Sequence, residues 1–197
     1  MKDISFLIDV LPAYVFPHDE RIIGEWVLAG FSLGGHATWL ALRHGALPVF
    51  VIARTRNVRS FIHSEPRIRI GIPICSCADI FALLERAANK LGIPRTAPYF
   101  PESLRALVDA YSPVAAPPGT FVGKRILALS GADDPLVPWS VSRAFMEVLD
   151  VGARGRKKVV VVPGAKHECT DEMRQELFQF FWEEALVTRQ ETRNSAL

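Results

Sequence analysis

A serine set between glycines, an aspartate followed by proline and a histidine on a late loop carry the chemistry legible in this sequence. The serine is Ser32, in Gly30-Phe31-Ser32-Leu33-Gly34, a match to G-x-S-x-G. A serine at the tip of a tight strand-to-helix turn is held clear of its neighbours, and glycines two residues to either side let the backbone turn without Cβ clashes. A hydroxyl is a poor nucleophile until a histidine takes its proton and an acid orients that histidine. Two more residues are therefore expected, in the order serine, acid, histidine. Asp134, in Gly131-Ala132-Asp133-Asp134-Pro135-Leu136-Val137-Pro138, and His167, in Gly164-Ala165-Lys166-His167-Glu168, meet that order, and Asp134 is preferred over Asp133. Each motif also has a plainer reading. The glycine-rich turn packs helix on strand, and the Asp-Pro turn caps a helix beginning near Trp139.

These residues need elements to carry them. Ile22 to Ala29 reads as a short apolar strand ending at Gly30, and Ala37 to Arg43 resumes helical spacing through Trp39, Leu40 and Leu42. That is the strand, turn and helix a nucleophilic serine requires. Further strands are expected at Arg67 to Ile74, Arg125 to Ser130 and Lys157 to Val162, the last with four consecutive valines that suggest burial on both faces. Asp134 follows one of these strands directly and His167 another, so loops at one edge of a parallel sheet would bring them toward Ser32. Helical spacing recurs through Phe81, Leu84, Ala88 and Leu91; Leu104, Leu107, Val108 and Tyr111; Val141, Ala144, Phe145, Val148 and Leu149; and Met173, Leu177, Phe181 and Ala185. A first helix through Ile4, Leu7, Ile8 and Leu11 is expected to stop before Pro12, and Pro113 to Gly119 reads as a loop. The alternation predicts an α/β fold in one domain, with a mostly parallel sheet of about four strands flanked by helices.

Taken together, Gly30-Phe31-Ser32-Leu33-Gly34-Gly35-His36, Gly-x-x-Asp-x-x-Val at 131 to 137 and Gly-Ala-Lys-His at 164 to 167 resemble the α/β-hydrolase superfamily. Within it the chain is similar to single-domain serine esterases of the dienelactone-hydrolase and prolyl-oligopeptidase-like kinds. The resemblance implies that Ser32 attacks a carbonyl, that His167 acts as general base and then general acid, that Asp134 orients it, and that the Leu33 backbone N–H donates to the oxyanion. It implies a small-molecule ester or thioester as substrate, and a small lid-like helical region at 78–118 whose Tyr99 and Phe100 hint at an apolar acyl or alcohol group.

Two departures from that family bear on function. Family members place several strands before the nucleophile strand, and a loop after one of them gives the second oxyanion donor. Here one helix precedes it, so the resemblance implies a partial, N-terminally truncated fold with an unpaired edge on the nucleophile strand. Residues 45–64 also lengthen a normally short connection and read as an insertion.

Composition excludes other classes. Of 197 residues, 49% are hydrophobic and 22% charged, and Lys plus Arg exceed Asp plus Glu by a net +2. A core is affordable, and nothing in the charge points to nucleic acid or an anionic membrane as partner. No run approaches the roughly 18 apolar residues of a membrane span, and no leader is evident, so a cytoplasmic location is expected. Cys75, Cys77 and Cys169 fit neither a zinc pattern nor a disulfide framework. No cofactor or metal is expected.

Other residues read as structural. His36 lies one helical turn past Ser32, where it packs rather than catalyses; His18, His44 and His63 read as loop residues; Cys75 and Cys77 read as inert thiols. Phe178, Phe180, Phe181 and Trp182 read as core and packing surface, and Glu168 and Asp171 as favourable charge at a helix N-terminus. Three functions remain: a serine hydrolase acting by acyl transfer, an inactive fragment or pseudo-enzyme with a binding role, and an unrelated α/β binding protein whose motifs are only turns.

Overall fold

The computed structural model describes residues 2–44 and 67–187; the expected insertion at 45–64, and His63 within it, lie outside the described residues. Four parallel strands form one sheet in the order β1 (Trp26–Phe31), β2 (Ile68–Ile74), β3 (Arg125–Gly131) and β4 (Arg156–Val162). Helix α1 (Lys2–Val15) precedes β1, and α2 (Leu33–His44) follows it. Then α3 (Ile80–Leu91), α4 (Glu102–Tyr111) and a 3₁₀ turn at Pro113–Ala115 lie between β2 and β3. Finally α5 (Ser140–Val148) precedes β4, and α6 (Asp171–Phe181) runs into a π-helical segment at Trp182–Val187.

Alternation along the strands divides the core between two faces. Trp26 and Leu28 of β1 and Ile126 and Ala128 of β3 pack with Ile8 of α1, Trp39, Ala41 and Leu42 of α2, and Met146 of α5. On the opposite face Ile70, Ile72, Leu127, Leu129 and Val162 pack with Met173 and Phe180 of α6 and with Ala185. Ile68 breaks the pattern by joining the first face, although it shares parity with Ile70. The register explains this: Trp26 pairs with Ile68 but Val27 pairs with Ile70, so Arg69 is an extra residue and the side chains flip across the bulge. Trp39, 1% exposed, anchors the first face edge-on against Phe121 and Phe145.

Several elements depart from expectation for identifiable reasons. Helix α1 runs through Pro12 to Val15. The ring removes one bond to the preceding turn, but the Phe16 N–H closes the next turn on the Pro12 carbonyl at 2.8 Å. Strand β1 starts at Trp26, because its partner β2 begins at Ile68 opposite it; Ile22, 94% exposed, has no neighbour to pair with among the described residues. Helix α2 starts at Leu33, four residues before the apolar spacing does, because the turn that carries Ser32 feeds directly into it. The valines of β4 are not buried on both faces: Val159 is exposed and Val160 and Val161 are half-buried. Among the described residues β4 pairs only with β3, as β1 pairs only with β2. An edge strand lacks the cover a central strand has on both sides. Region 78–118 is helical, with the Phe81 and Phe100 rings edge-to-face and the Arg105 guanidinium over Phe81. That contact takes Phe100 into the packing of α3 on α4.

Candidate active site

Because all four strands run the same way, the turns after β1, β3 and β4 open at one edge of the sheet. The turn after β1 holds Ser32 with φ of +53°, a left-handed conformation that costs a non-glycine residue roughly 1–3 kcal/mol and persists only where its surroundings impose it. Here the Ser32 N–H donates to the Ile74 carbonyl at 2.8 Å and the His36 N–H to the Ser32 carbonyl at 3.0 Å. Glycine enforces the turn at two places. A Cβ on Gly30 would lie 2.2 Å from the Gly34 backbone, and one on Gly35 would lie 2.6 Å from the Ser76 side chain. Gly34, the second glycine of G-x-S-x-G, has open space where its Cβ would point. The steric requirement therefore falls on Gly30 and Gly35, not on Gly34.

The acid loop is strapped to the histidine loop before either side chain is considered. The Ala132 N–H donates to Val162 and the Asp133 N–H to Ala165, and Gly131 permits the approach, since a Cβ there would meet the Ala165 carbonyl at 2.3 Å. Asp134 then turns inward with its carboxylate fully buried while Asp133 stays exposed. One oxygen accepts the Leu136 and Val137 amides, each at 2.9 Å, and the other lies 2.7 Å from His167 Nδ1. With two backbone N–H donors on its first oxygen, Asp134 presents the second as an acceptor, and His167 Nδ1 donates to it. His167 Nε2 lies 2.9 Å from Ser32 Oγ and is left as the acceptor of the serine proton. The three residues expected from sequence thus meet as one hydrogen-bonded chain. The Phe31 ring lies 5.0 Å from the imidazole, and Leu33 and Leu136, which follow Ser32 and Asp134 in the chain, are exposed.

Leu33 opens α2, so its N–H is among the first-turn amides with no acceptor inside the helix. It lies beside Ser32 with the helix dipole behind it. The Ser32 amide is already spent on Ile74.

No family model matches the chain, and no curated protein matches it in sequence. Solved structures do resemble it. A bifunctional GH43-CE protein of Bacteroides eggerthii superposes with a TM-score of 0.56 at 20% identity, over 80% of this chain and 21% of that one. A truncated carbohydrate esterase from gut microbiota gives 0.55 at 19%, over 88% of this chain and 63% of that one. An acylaminoacyl peptidase bound to a chloromethyl ketone gives 0.56 at 18%, over 90% and 26%. The fold is that of the α/β-hydrolases. The chain spans from about a fifth to just under two thirds of the length of these three α/β-hydrolases.

Against that fold the remaining candidates fall into place. His36 Nδ1 lies 3.0 Å from the Cys77 carbonyl and ties α2 to the loop after β2, and His18 is exposed. Burial pushes the Cys75 thiol up and the Cys77 thiol up to about 12, which keeps both protonated at neutral pH. Phe180 is core, while Phe178 and Trp182 face outward. Asp171 opens α6, whose N-cap is Thr170, its hydroxyl accepting the Met173 N–H at 3.2 Å; Glu168 is exposed ahead of it. Sequence reasoning missed the Phe31 contact and the place of Cys75 beneath the Asp134–His167 pair. Nothing in the spacing of either residue announces which loop it will meet. No helix among the described residues is long and apolar enough to cross a membrane.

Proposed function

We propose that this chain is a serine hydrolase that acts on a carboxylic ester or thioester by acyl transfer. The supporting observation is the unbroken chain from Ser32 Oγ through His167 to Asp134, with contacts of 2.9 and 2.7 Å. Ser32 Oγ attacks the substrate carbonyl as its proton passes to His167 Nε2, and the buried Asp134 carboxylate stabilises the imidazolium that forms. The Leu33 N–H donates to the oxyanion. Collapse of the tetrahedral species returns the proton from Nε2 to the leaving alcohol or thiol and leaves an acyl-Ser32. Water, deprotonated by the same nitrogen, then releases the acid. Phe31 and Leu33, the chain neighbours of Ser32, are exposed, which favours a substrate with an apolar group near its carbonyl.

A second reading is favoured by the nucleophile strand. Within the described residues β1 has a free edge and no strand precedes it, so one oxyanion donor is identified where the mechanism uses two. Loss of a donor costs on the order of 10² to 10³ in rate. On this reading the chain binds an ester-like ligand without turning it over. A fluorophosphonate probe tests both: the proposal expects Ser32 to be labelled and Ser32→Ala to abolish labelling, with turnover of an activated ester in the same preparation. Labelling without turnover would favour the binding role, and a folded chain that resists the probe would count against the hydrolase.

A further inference from the structure

Behind the Asp134–His167 pair lies a thiol that the proposed hydrolytic cycle does not use. Cys75 follows the last residue of β2, has φ of +45° and is fully buried. Its amide donates to the Leu129 carbonyl at 2.8 Å and its thiol to the Glu168 carbonyl at 3.2 Å, so both the strand below and the histidine loop above hold the sulfur in place. As a result one sulfur of Cys75, one carboxylate oxygen of Asp134 and one imidazole nitrogen of His167 lie within 4.8 Å of one another. Thiolate, carboxylate and imidazole are the ligand types zinc takes. Bonds of about 2.0–2.3 Å in a tetrahedron place ligand atoms roughly 3.3–3.6 Å apart, so the widest pair here needs to close by about 1 Å. Three protein ligands with one open position is also a recurrent zinc arrangement.

We propose that Cys75, Asp134 and His167 form a binding site for Zn²⁺ or a comparably thiophilic divalent cation, and that its occupancy switches the serine off. The change needs no redox partner. Cys75 loses its thiol proton to solvent as the sulfur–metal bond forms; burial opposes that loss, and the adjacent cation offsets it. His167 coordinates through Nδ1, so that nitrogen gives its proton to solvent while Nε2 takes one up, and the ring stays neutral. Thiolate and carboxylate then balance the charge of the dication, and no net charge is left in a buried site. With Nε2 protonated, His167 has no lone pair for the Ser32 hydroxyl, so metal binding and acyl transfer exclude each other. His167, with 16% of its side chain exposed, is where the cation enters from solvent. The binding step stands apart from the serine hydrolase reading, whereas the inhibition step rests on it.

The test separates the two. Equilibrium dialysis of the Ser32→Ala chain against chelator-buffered Zn²⁺ is expected to give one equivalent per chain, and Co²⁺ in its place an intense near-ultraviolet thiolate-to-metal absorption. Adding Cys75→Ala removes that absorption and weakens Zn²⁺ binding by more than the roughly 10- to 100-fold that loss of a mere supporting partner costs. Adding His167→Ala, at a more exposed position, also weakens binding, so the proposal does not depend on one variant folding. Cys77→Ala keeps both signals. Sub-stoichiometric binding, or a thiolate band that survives Cys75→Ala, overturns the site. In the unsubstituted chain Zn²⁺ lowers kcat and a chelator restores it. The Cys75→Ala chain, compared with its own metal-free rate, escapes inhibition. Equal inhibition of both chains overturns the switch.

Discussion

The two ends of the same four strands are held by different kinds of interaction. At the end where the strands begin, cations close the sheet. Arg125, the first residue of β3, binds the Glu25 carboxylate at 2.9 Å and the Glu184 carbonyl, and Arg156, the first residue of β4, binds Glu183 and Glu184. Lys124 reaches the Ile68 carbonyl at 2.6 Å, and Lys157 the carbonyls of Met146 and Leu149. At the end where the strands finish, no lysine or arginine among the described residues takes part in the Ser32–His167–Asp134 chain, and a single hydrogen bond joins Ser32 to His167 and another joins His167 to Asp134. The first end is a network in which Glu184 answers to two arginines. The second is a series in which every link is single. A network spreads the effect of one loss, whereas a series breaks at any point.

Substitutions sharpen that contrast. The largest effect is expected for Asp134→Asn, which keeps the shape but takes away the carboxylate that holds the His167 proton on Nδ1. Turnover of an activated ester falls by about 10⁴ with folding unchanged, and steady-state kinetics beside a circular dichroism melt reads both. At the other end, Arg125→Met leaves Glu25 and Glu184 short of a partner. Urea unfolding is expected to register a loss of roughly 2–3 kcal/mol, below the 3–5 of a fully enclosed pair because Glu25 and Arg125 keep 17% and 14% of their side-chain exposure. Activity per folded molecule stays as it was, and a large fall in kcat there would erase the distinction between the ends.

A smaller effect follows from Thr170→Ala, which removes the N-cap of α6 just after the histidine loop. About 1 kcal/mol of stability is expected to go, read by the same unfolding curves. The smallest is a slope. Burial holds the Cys77 thiol up at about 12, while in the unfolded chain it ionises near its ordinary value of 9.0. Above that ordinary value the unfolded state sheds a proton that the folded state keeps, so stability falls as pH rises from about 9 toward 12. Unfolding midpoints taken across that window should fall less steeply in Cys77→Ala than in the unsubstituted chain.

What the sequence discloses of this arrangement follows from what each signal depends on. Ser32, Asp134 and His167 were legible because each sits at the end of an apolar run, and parallel strands deliver such ends to one edge whatever the details of packing. Their order along the chain supplied the rest. The bulge at Arg69 was not legible, because a register shift is a relation between β1 and β2 and leaves no mark on either alone. The four valines of β4 misled for a related reason: apolar composition records a preference for burial, but whether a second neighbour covers the strand is decided by topology. Gly34 matched the motif without being required sterically, whereas Gly35, outside the pattern, is pressed against Ser76. Cys75 looked like one more inert thiol, since nothing local tells which loop its sulfur will touch.

The central claim is that the serine hydroxyl, the late imidazole and the buried carboxylate act as one unit on a carbonyl. Its most direct test is intact-mass analysis of the chain quenched during turnover of an activated ester, followed by peptide mapping. The account predicts an acyl group on Ser32 that disappears in Ser32→Ala and accumulates little in Asp134→Asn. An acyl group mapped to another residue, or turnover that persists in Ser32→Ala, would contradict it.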